Sequence, residues 1–163
     1  MRSAVAHLKA WLAEPLTRGC NLDDPRTTEL RRHVLRHKPF LRRIYEEWYE
    51  AIAAKLPGGD LPVLELGSGA GFMPDRIPGV ITSEVFPCPG VDRVVDAQTL
   101  DFPPRSLRAI VMIDVLHHLP RVRTFFAAAA RCVAPGGAVV MIEPWITAWS
   151  RFVYTRLHHE PFA

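Results

Sequence analysis

The residues with most chemistry in them are Glu65-Leu66-Gly67-Ser68-Gly69-Ala70-Gly71-Phe72, where an apolar run ends in an acid and meets three glycines at alternate positions. Glycine tolerates positive φ and has no Cβ, so a ligand can approach the backbone closely. A strand, a tight loop and a helix opening behind it would bring loop N–H groups and a helix N-terminus together, which favours a carboxylate or phosphate. Two details restrict the ligand. Phe72 stands where the third glycine of a dinucleotide-binding G-x-G-x-x-G would fall. Glu65, two residues before the first glycine, would repel a pyrophosphate and suits a cationic group. Glu84, Asp96 and Asp114 close other apolar runs, and His117, His118 and Glu143 follow.

Those positions need a scaffold. From residue 61 onward, short apolar runs at 62–66, 80–84, 91–95, 108–114 and 138–143 predict strands. A short helix after the glycine loop, a loop over 96–107 and a helix over about 121–132 lie between them. The strands are apolar along their length, as in parallel sheets covered on both faces. The fold class is therefore α/β, a doubly wound, mostly parallel sheet of about five strands. Its ligands sit at the carboxyl ends of the strands, where Glu65, Glu84, Asp96 and Asp114 all fall.

Residues 1–24 read as a short helix and a loop, and Asp24-Pro25 caps a helix to about residue 37. Pro39 begins another with an amphipathic stripe of Phe40, Leu41, Ile44, Tyr45, Trp48, Ile52 and Leu56, ended by Pro57-Gly58-Gly59. Residues 146–159 read as one helix with Ile146, Trp149, Phe152, Val153 and Leu157 on a face. We divide the single domain into an N-terminal helical extension or lid (1–60) and a core (61–163).

Four motifs in order carry a resemblance over about residues 61–145. They are Glu65-x-Gly67-x-Gly69-x-Gly71, Glu84 at the end of the second strand, Asp96-Ala97 after the third, and a fourth block. That block runs from Ile110 through Asp114-Val115-Leu116-His117-His118-Leu119-Pro120 to Pro135-Gly136-Gly137 and Glu143-Pro144. The set resembles class I S-adenosylmethionine-dependent methyltransferases, in the small-molecule branch often called the type 11 methyltransferase domain. The resemblance implies a Rossmann-like fold and S-adenosyl-L-methionine as cofactor, whose sulfonium and ammonium groups suit Glu65. It gives Gly67, Ser68 and Gly69 to the methionine end, Glu84 to the ribose and Asp96-Ala97 to the adenine, puts residues around Asp114 beside the methyl group, and counts Gly71 and Ile113 among the cofactor-binding residues. Asp101 replaces the proline of the usual Leu-Pro-Phe. Twenty residues follow Glu143, too few for a helix and two strands, so the family's final antiparallel strand pair is expected to be absent.

Methyl transfer is an in-line displacement, and a base is needed only when the acceptor must lose a proton. His117 and Asp114 are the predicted catalytic pair; His118, Glu143, His158 and His159 are further candidates for the base. Packing for one histidine of His117-His118 and solvent for the other is the competing reading. Adjacent residues on a helix point about 100° apart, so His158-His159-Glu160 does not make one metal site, and no metal is expected. With Trp145 and Trp149 these residues line an acceptor pocket or pack against further structure.

The 163 residues are 48% hydrophobic and 23% charged, ordinary for a globular chain. Three cysteines without CxxC spacing, a poor signal sequence and no apolar run of about 18–20 residues place it in the cytoplasm, without a transmembrane segment. Net charge is +3, and the basic excess lies between Arg31 and Arg43, a segment without an acid. It reads as a solvated helical face, or as a patch for an anionic or lipid-linked acceptor with peripheral membrane contact. Aromatics do not alternate with the basic residues, and no Asn/Asp-Pro-Pro-aromatic motif occurs, so nucleic acid ranks last. Two rivals to a small-molecule or lipid-like methyl acceptor remain: a non-catalytic or truncated partner subunit, and an NAD(P)-dependent oxidoreductase.

Overall fold

The computed structural model describes residue 11, residues 14–21 and residues 24–156. Strands β1 (Val63–Leu66), β2 (Ile81–Glu84), β3 (Arg93–Val94), β4 (Leu107–Ile113) and β5 (Val133–Ile142) form one sheet in the order β3-β2-β1-β4-β5. Every neighbouring pair is parallel. This is the doubly wound Rossmann-like sheet expected from the alternation of strands and helices. The strand order reverses between β1 and β4, so the ligand crevice opens beyond the ends of those two.

Side-chain alternation splits the core into two layers. Leu64 and Leu66 of β1, with Ile110 and Met112 of β4, pack against Phe125, Ala129 and Cys132 of a helix over Val122–Cys132. Val63, Ala109 and Val111 face the other way, toward Tyr49 and Ile52 of a helix over Pro39–Ala53 and toward Phe72, Met73 and Ile77. In chain order the helices are α1 (Pro25–His37), α2 (Pro39–Ala53), α3 (Val122–Cys132) and α4 (Ala148–Arg156). Glu65 has the parity of Val63, which sends its carboxylate to the α2 side. At the start of α1 the Asp24 carboxylate accepts the Arg26 N–H at 2.9 Å, and Pro25 occupies the first turn.

The structure departs from the sequence reading in four places. No α-helix follows the glycine loop: a 3-10 turn of three residues, Met73–Asp75, stands there. Pro78 has no N–H and its ring would collide with the carbonyl four residues back, so a helix through this segment is blocked. On α2, Phe40 is 74% exposed, whereas Tyr49, outside the predicted stripe, is fully buried with Ile52; Tyr45 and, after the helix, Leu56 are half-buried against them. β5 begins at Val133 rather than 138, with Pro135-Gly136-Gly137 bulging out between Val133 and Ala138, the partners of Leu107 and Ala109. Helix α4 forms, but Trp149 and Phe152 on it are 71% and 51% exposed.

The expected helix within residues 1–24, apart from a 3-10 turn at Pro15–Thr17, lies outside the described residues, as do Leu157 and His158-His159-Glu160. Among the described residues no helix is long and apolar enough to cross a membrane.

Candidate functional site

The glycine loop is wedged between the turn after β4 and helix α2. Gly67 and Gly69 have φ of +65° and +48°. A Cβ on Gly67 would lie 2.4 Å from Val115 Cγ2, and one on Gly71 would lie 2.7 Å from the Tyr49 hydroxyl. Four of the loop N–H groups have partners within the protein. Ser68 donates to the Ser83 carbonyl (2.9 Å), Gly69 to Glu84 Oε1 (2.7 Å), Gly71 to the Ser68 carbonyl (2.8 Å) and Phe72 to the Tyr49 hydroxyl (2.9 Å). Those four donors are engaged within the protein, and the helix expected behind the loop does not form. That corrects the expectation drawn from the loop pattern.

What the loop presents instead is negative charge. Ser68 Oγ donates to Glu65 Oε2 at 2.8 Å and accepts the Ser83 N–H at 3.0 Å, tying β1 to β2. Glu65 is 4% exposed. Burial, with Glu84 nearby, pushes its carboxyl up to about 7 against the pull of the Ser68 hydrogen bond. It lines a pocket of about 110 Å³ with Tyr45, Tyr49, Ser68, Gly71 and Asp114.

On the other side of the loop lies a cavity of about 760 Å³, shared with the small pocket at Gly67, Gly69, Ala70, Ile113 and Asp114. Glu84 from β2, Asp96, Ala97 and Gln98 after β3, and Thr28 and Arg31 of α1 complete much of its wall. The sequence-predicted cofactor residues are thus gathered in one place. Gly67, Gly69, Glu84, Asp96, Ala97, Ile113 and Asp114 line the cavity, and Glu65, Ser68 and Gly71 line the pocket beside it. Glu84 Oε1 and Oε2 accept the Gly69 and Val85 N–H groups at 2.7 and 3.2 Å, and a carboxylate with about four lone-pair sites still has room for two hydroxyls. Asp114 leaves β4 with φ +55°, and its carboxyl is raised by burial and by Glu143, with His117 and His118 pulling the other way.

One buried donor has no partner. Gln98 Oε1 accepts from Arg121 Nε at 3.3 Å. Arginine only donates, so this contact fixes the amide orientation and leaves Nε2 shielded and unsatisfied, alone among the buried side-chain N and O atoms described. The orphan donor, the positive-φ glycines and the acidic wall fit a polyhydroxylated ligand with a cationic end and hydrogen-bond acceptors.

Beyond β4, Glu143 Oε1 accepts the Val115 and Leu116 N–H groups at 3.0 and 2.7 Å, and its Oε2 lies 2.7 Å from His117 Nδ1. The rings of His117 and His118 are 4.0 Å apart. His118 lines the large cavity, whereas His117 stands just outside its wall, paired with Glu143.

Sequence reasoning missed Thr28, Arg31, Tyr45, Tyr49, Gln98 and Arg121 as site residues. For Arg31 the signal was the basic segment, but its parts do different things. Arg32 clasps the Pro89 and Gly69 carbonyls, both at 3.0 Å. Arg36 pairs with Asp75 at 3.2 Å and lies over the Phe72 ring. Lys38 pairs with Glu14, and Arg42 and Arg43 pair with Glu46 and Glu47. The acids that answer this segment lie outside it, so the sequence window showed none. Among the described residues no group of three His, Cys, Asp or Glu could hold a metal ion.

The chain and its fold have known relatives. A family model described as a methyltransferase domain matches residues 35–158. No curated protein matches the chain. Among solved structures, a geranyl diphosphate C-methyltransferase from Streptomyces coelicolor A3(2), in complex with Mg2+, geranyl diphosphate and S-adenosyl-L-homocysteine, is similar at 16% identity. The match covers 96% of this chain and 71% of that one, with a TM-score of 0.53. A candidate methyltransferase from Bacillus halodurans C-125 is similar at 21% identity over 65% of this chain and 49% of that one, with a TM-score of 0.50. The [4+2]-cyclase SpnF is similar at 17% identity over 58% and 43%, with a TM-score of 0.49. This chain therefore spans about half or less of the length of the latter two.

Proposed function

The chain belongs to the methyltransferase-domain family, and from that premise we propose that it transfers a methyl group from S-adenosylmethionine to a small-molecule or lipid-like acceptor. One observation carries the reading. Four carboxyl groups, Glu65, Glu84, Asp96 and Asp114, converge from four strand ends on the glycine loop, and Glu84 already takes the Gly69 N–H. Such a site attracts a cation and repels a pyrophosphate. The same acidic wall disfavours an NAD(P)-dependent oxidoreductase.

When bound, the cofactor supplies an electrophilic methyl carbon on a sulfonium. Glu65 and Ser68 hold the ammonium end in the small pocket, with Arg31 across the site as counter-charge for a carboxylate. Glu84 takes the ribose hydroxyls; Asp96 and Ala97 take the adenine, with the Gln98 amide close by. Ile113 and Asp114 border the reacting centre. Leu66, Phe86, Ile113 and Leu119 give the cavity apolar wall, which excludes water from the displacement. Residues 1–60 act as the lid through Thr28 and Arg31 of α1, over a core of 61–163. His117, beside His118 at the edge of the cavity, is the general base for an acceptor that must lose a proton, with Asp114 next to it as the other member of the catalytic pair.

Calorimetric titration with S-adenosylmethionine tests the reading. We expect micromolar binding, loss of it in Glu84→Ala of unchanged circular dichroism, and no comparable binding of NADH. Preference for NADH would refute it. A second reading, a non-catalytic partner subunit, draws on Trp145, Ile146, Trp149 and Phe152, all more than half exposed after the edge strand β5. A folded chain that binds neither cofactor would favour it.

A further inference from the structure

Glu143 has no place in the cofactor assignment, yet three donors converge on it. It closes β5, and its carboxylate reaches the turn after β4 from 26 to 28 residues away in sequence. Oε1 takes two backbone N–H groups, from Val115 and Leu116, and Oε2 takes His117 Nδ1 at 2.7 Å. A carboxylate can only accept, so a neutral His117 in this contact carries its proton on Nδ1 and has a bare lone pair on Nε2. The two backbone bonds fix the carboxylate, so the histidine is oriented by a group that is itself held. A base oriented by a third group is the arrangement that activates nucleophiles elsewhere.

We propose that Glu143 is the positioning residue that locks His117 in the Nδ1–H tautomer and leaves Nε2 as the base, at the edge of the cavity that His118 lines, and that the acceptor class is one with a removable proton on oxygen or nitrogen. This rests on the methyltransferase reading above. In the step, the acceptor's lone pair forms the bond to the methyl carbon as the carbon–sulfur bond breaks with its electron pair going to sulfur. The acceptor's proton passes to His117 Nε2, and the resulting imidazolium is stabilised by Glu143. Among the described residues, Asp114 from the end of β4 and His118 beside it on the same turn also face His117.

Glu143→Gln tests the assignment without needing an acceptor. The glutamine oxygen can keep the two backbone N–H groups while its amide nitrogen donates to His117 Nδ1, which drives the histidine proton to Nε2. The corresponding exchange in a serine-protease triad costs about 10⁴ in kcat through the wrong tautomer. Nitrogen-15 NMR of the histidine-labelled chain at about pH 8.5, well above the ordinary imidazole value, reads the tautomer; loss of the signal in His117→Gln assigns it. Wild type should show the proton on Nδ1, and Glu143→Gln should show it on Nε2 with an unchanged melting profile. A proton on Nε2 in wild type, or the same tautomer in both, overturns the proposal. Calorimetry with S-adenosylmethionine runs in parallel. A Glu143→Gln chain that switches tautomer and binds the cofactor like wild type supports a role confined to the base. A folded wild type that binds no cofactor overturns the base role together with the reading it rests on, even where the Nδ1–H tautomer is seen.

Discussion

Glu65→Gln should make the ligand-free protein more stable at pH 8 and poorer at binding its cofactor. Glu65 is 4% exposed, and burial raises its carboxyl to about 7. In the unfolded chain a glutamate titrates near 4.3. The folded state therefore holds a proton that the unfolded state has released across the window between those values. Stability from this group is fully present below the unfolded value and is lost as pH rises through the folded one. At about 1.36 kcal/mol per unit, the loss by pH 8 is on the order of 3 kcal/mol. Glutamine copies the protonated acid: its oxygen can still accept from Ser68 Oγ, as Glu65 Oε2 does at 2.8 Å. Urea unfolding at pH 5 and pH 8 measures the effect. The two proteins should be close at pH 5, with the variant ahead by roughly 2–3 kcal/mol at pH 8. Other groups that titrate in this range are common to both, so the difference isolates Glu65. Calorimetry should show weaker S-adenosylmethionine binding by the variant, because an ammonium loses its counter-charge. A wild type no less stable than the variant at pH 8 would refute the argument.

Gly67→Ala should destabilise by roughly 2–4 kcal/mol, from a positive φ and from overpacking against Val115 Cγ2, 2.4 Å from the new Cβ. Adding Val115→Ala should recover the steric part alone, read by chemical denaturation as a double-mutant cycle. Arg131→Ala should cost roughly 2–4 kcal/mol, since its guanidinium holds the Leu100 and Phe102 carbonyls, each at 2.7 Å, and keeps buried Leu100 at φ +40°. Arg131→Lys, which lacks the fork, should restore less than half of that loss in the same denaturation assay.

The glycine spacing, the acids at strand ends and the strand–helix alternation were readable because each is a local pattern. Glu84 and Asp96-Ala97 could be placed at strand ends from the apolar runs before them, and they do line one cavity. Tyr49 could not be found this way. Its place in the core comes from which face of α2 docks on the sheet, and the sequence stripe held Phe40 instead. The helix expected behind the loop was stopped by Pro78, a residue whose effect depends on where the chain must next turn. Arg31 and Arg32 looked alike inside a basic run; only the docking of α1 sends one to the cavity and the other to the Gly69 and Pro89 carbonyls.

The sequence by itself determined the parallel α/β sheet, the glycine loop and the supply of carboxylates, since side-chain period, φ preference and charge are properties of residues and their near neighbours. Tertiary structure decided what those groups can do. It buried Glu65 against α2 by strand parity, turned the loop N–H groups onto Ser83, Glu84 and Tyr49, and brought Glu143 to His117. Proton affinity, hydrogen-bond partnership and tautomer are set by what stands within a few ångströms, and for these residues that neighbour comes from far along the chain.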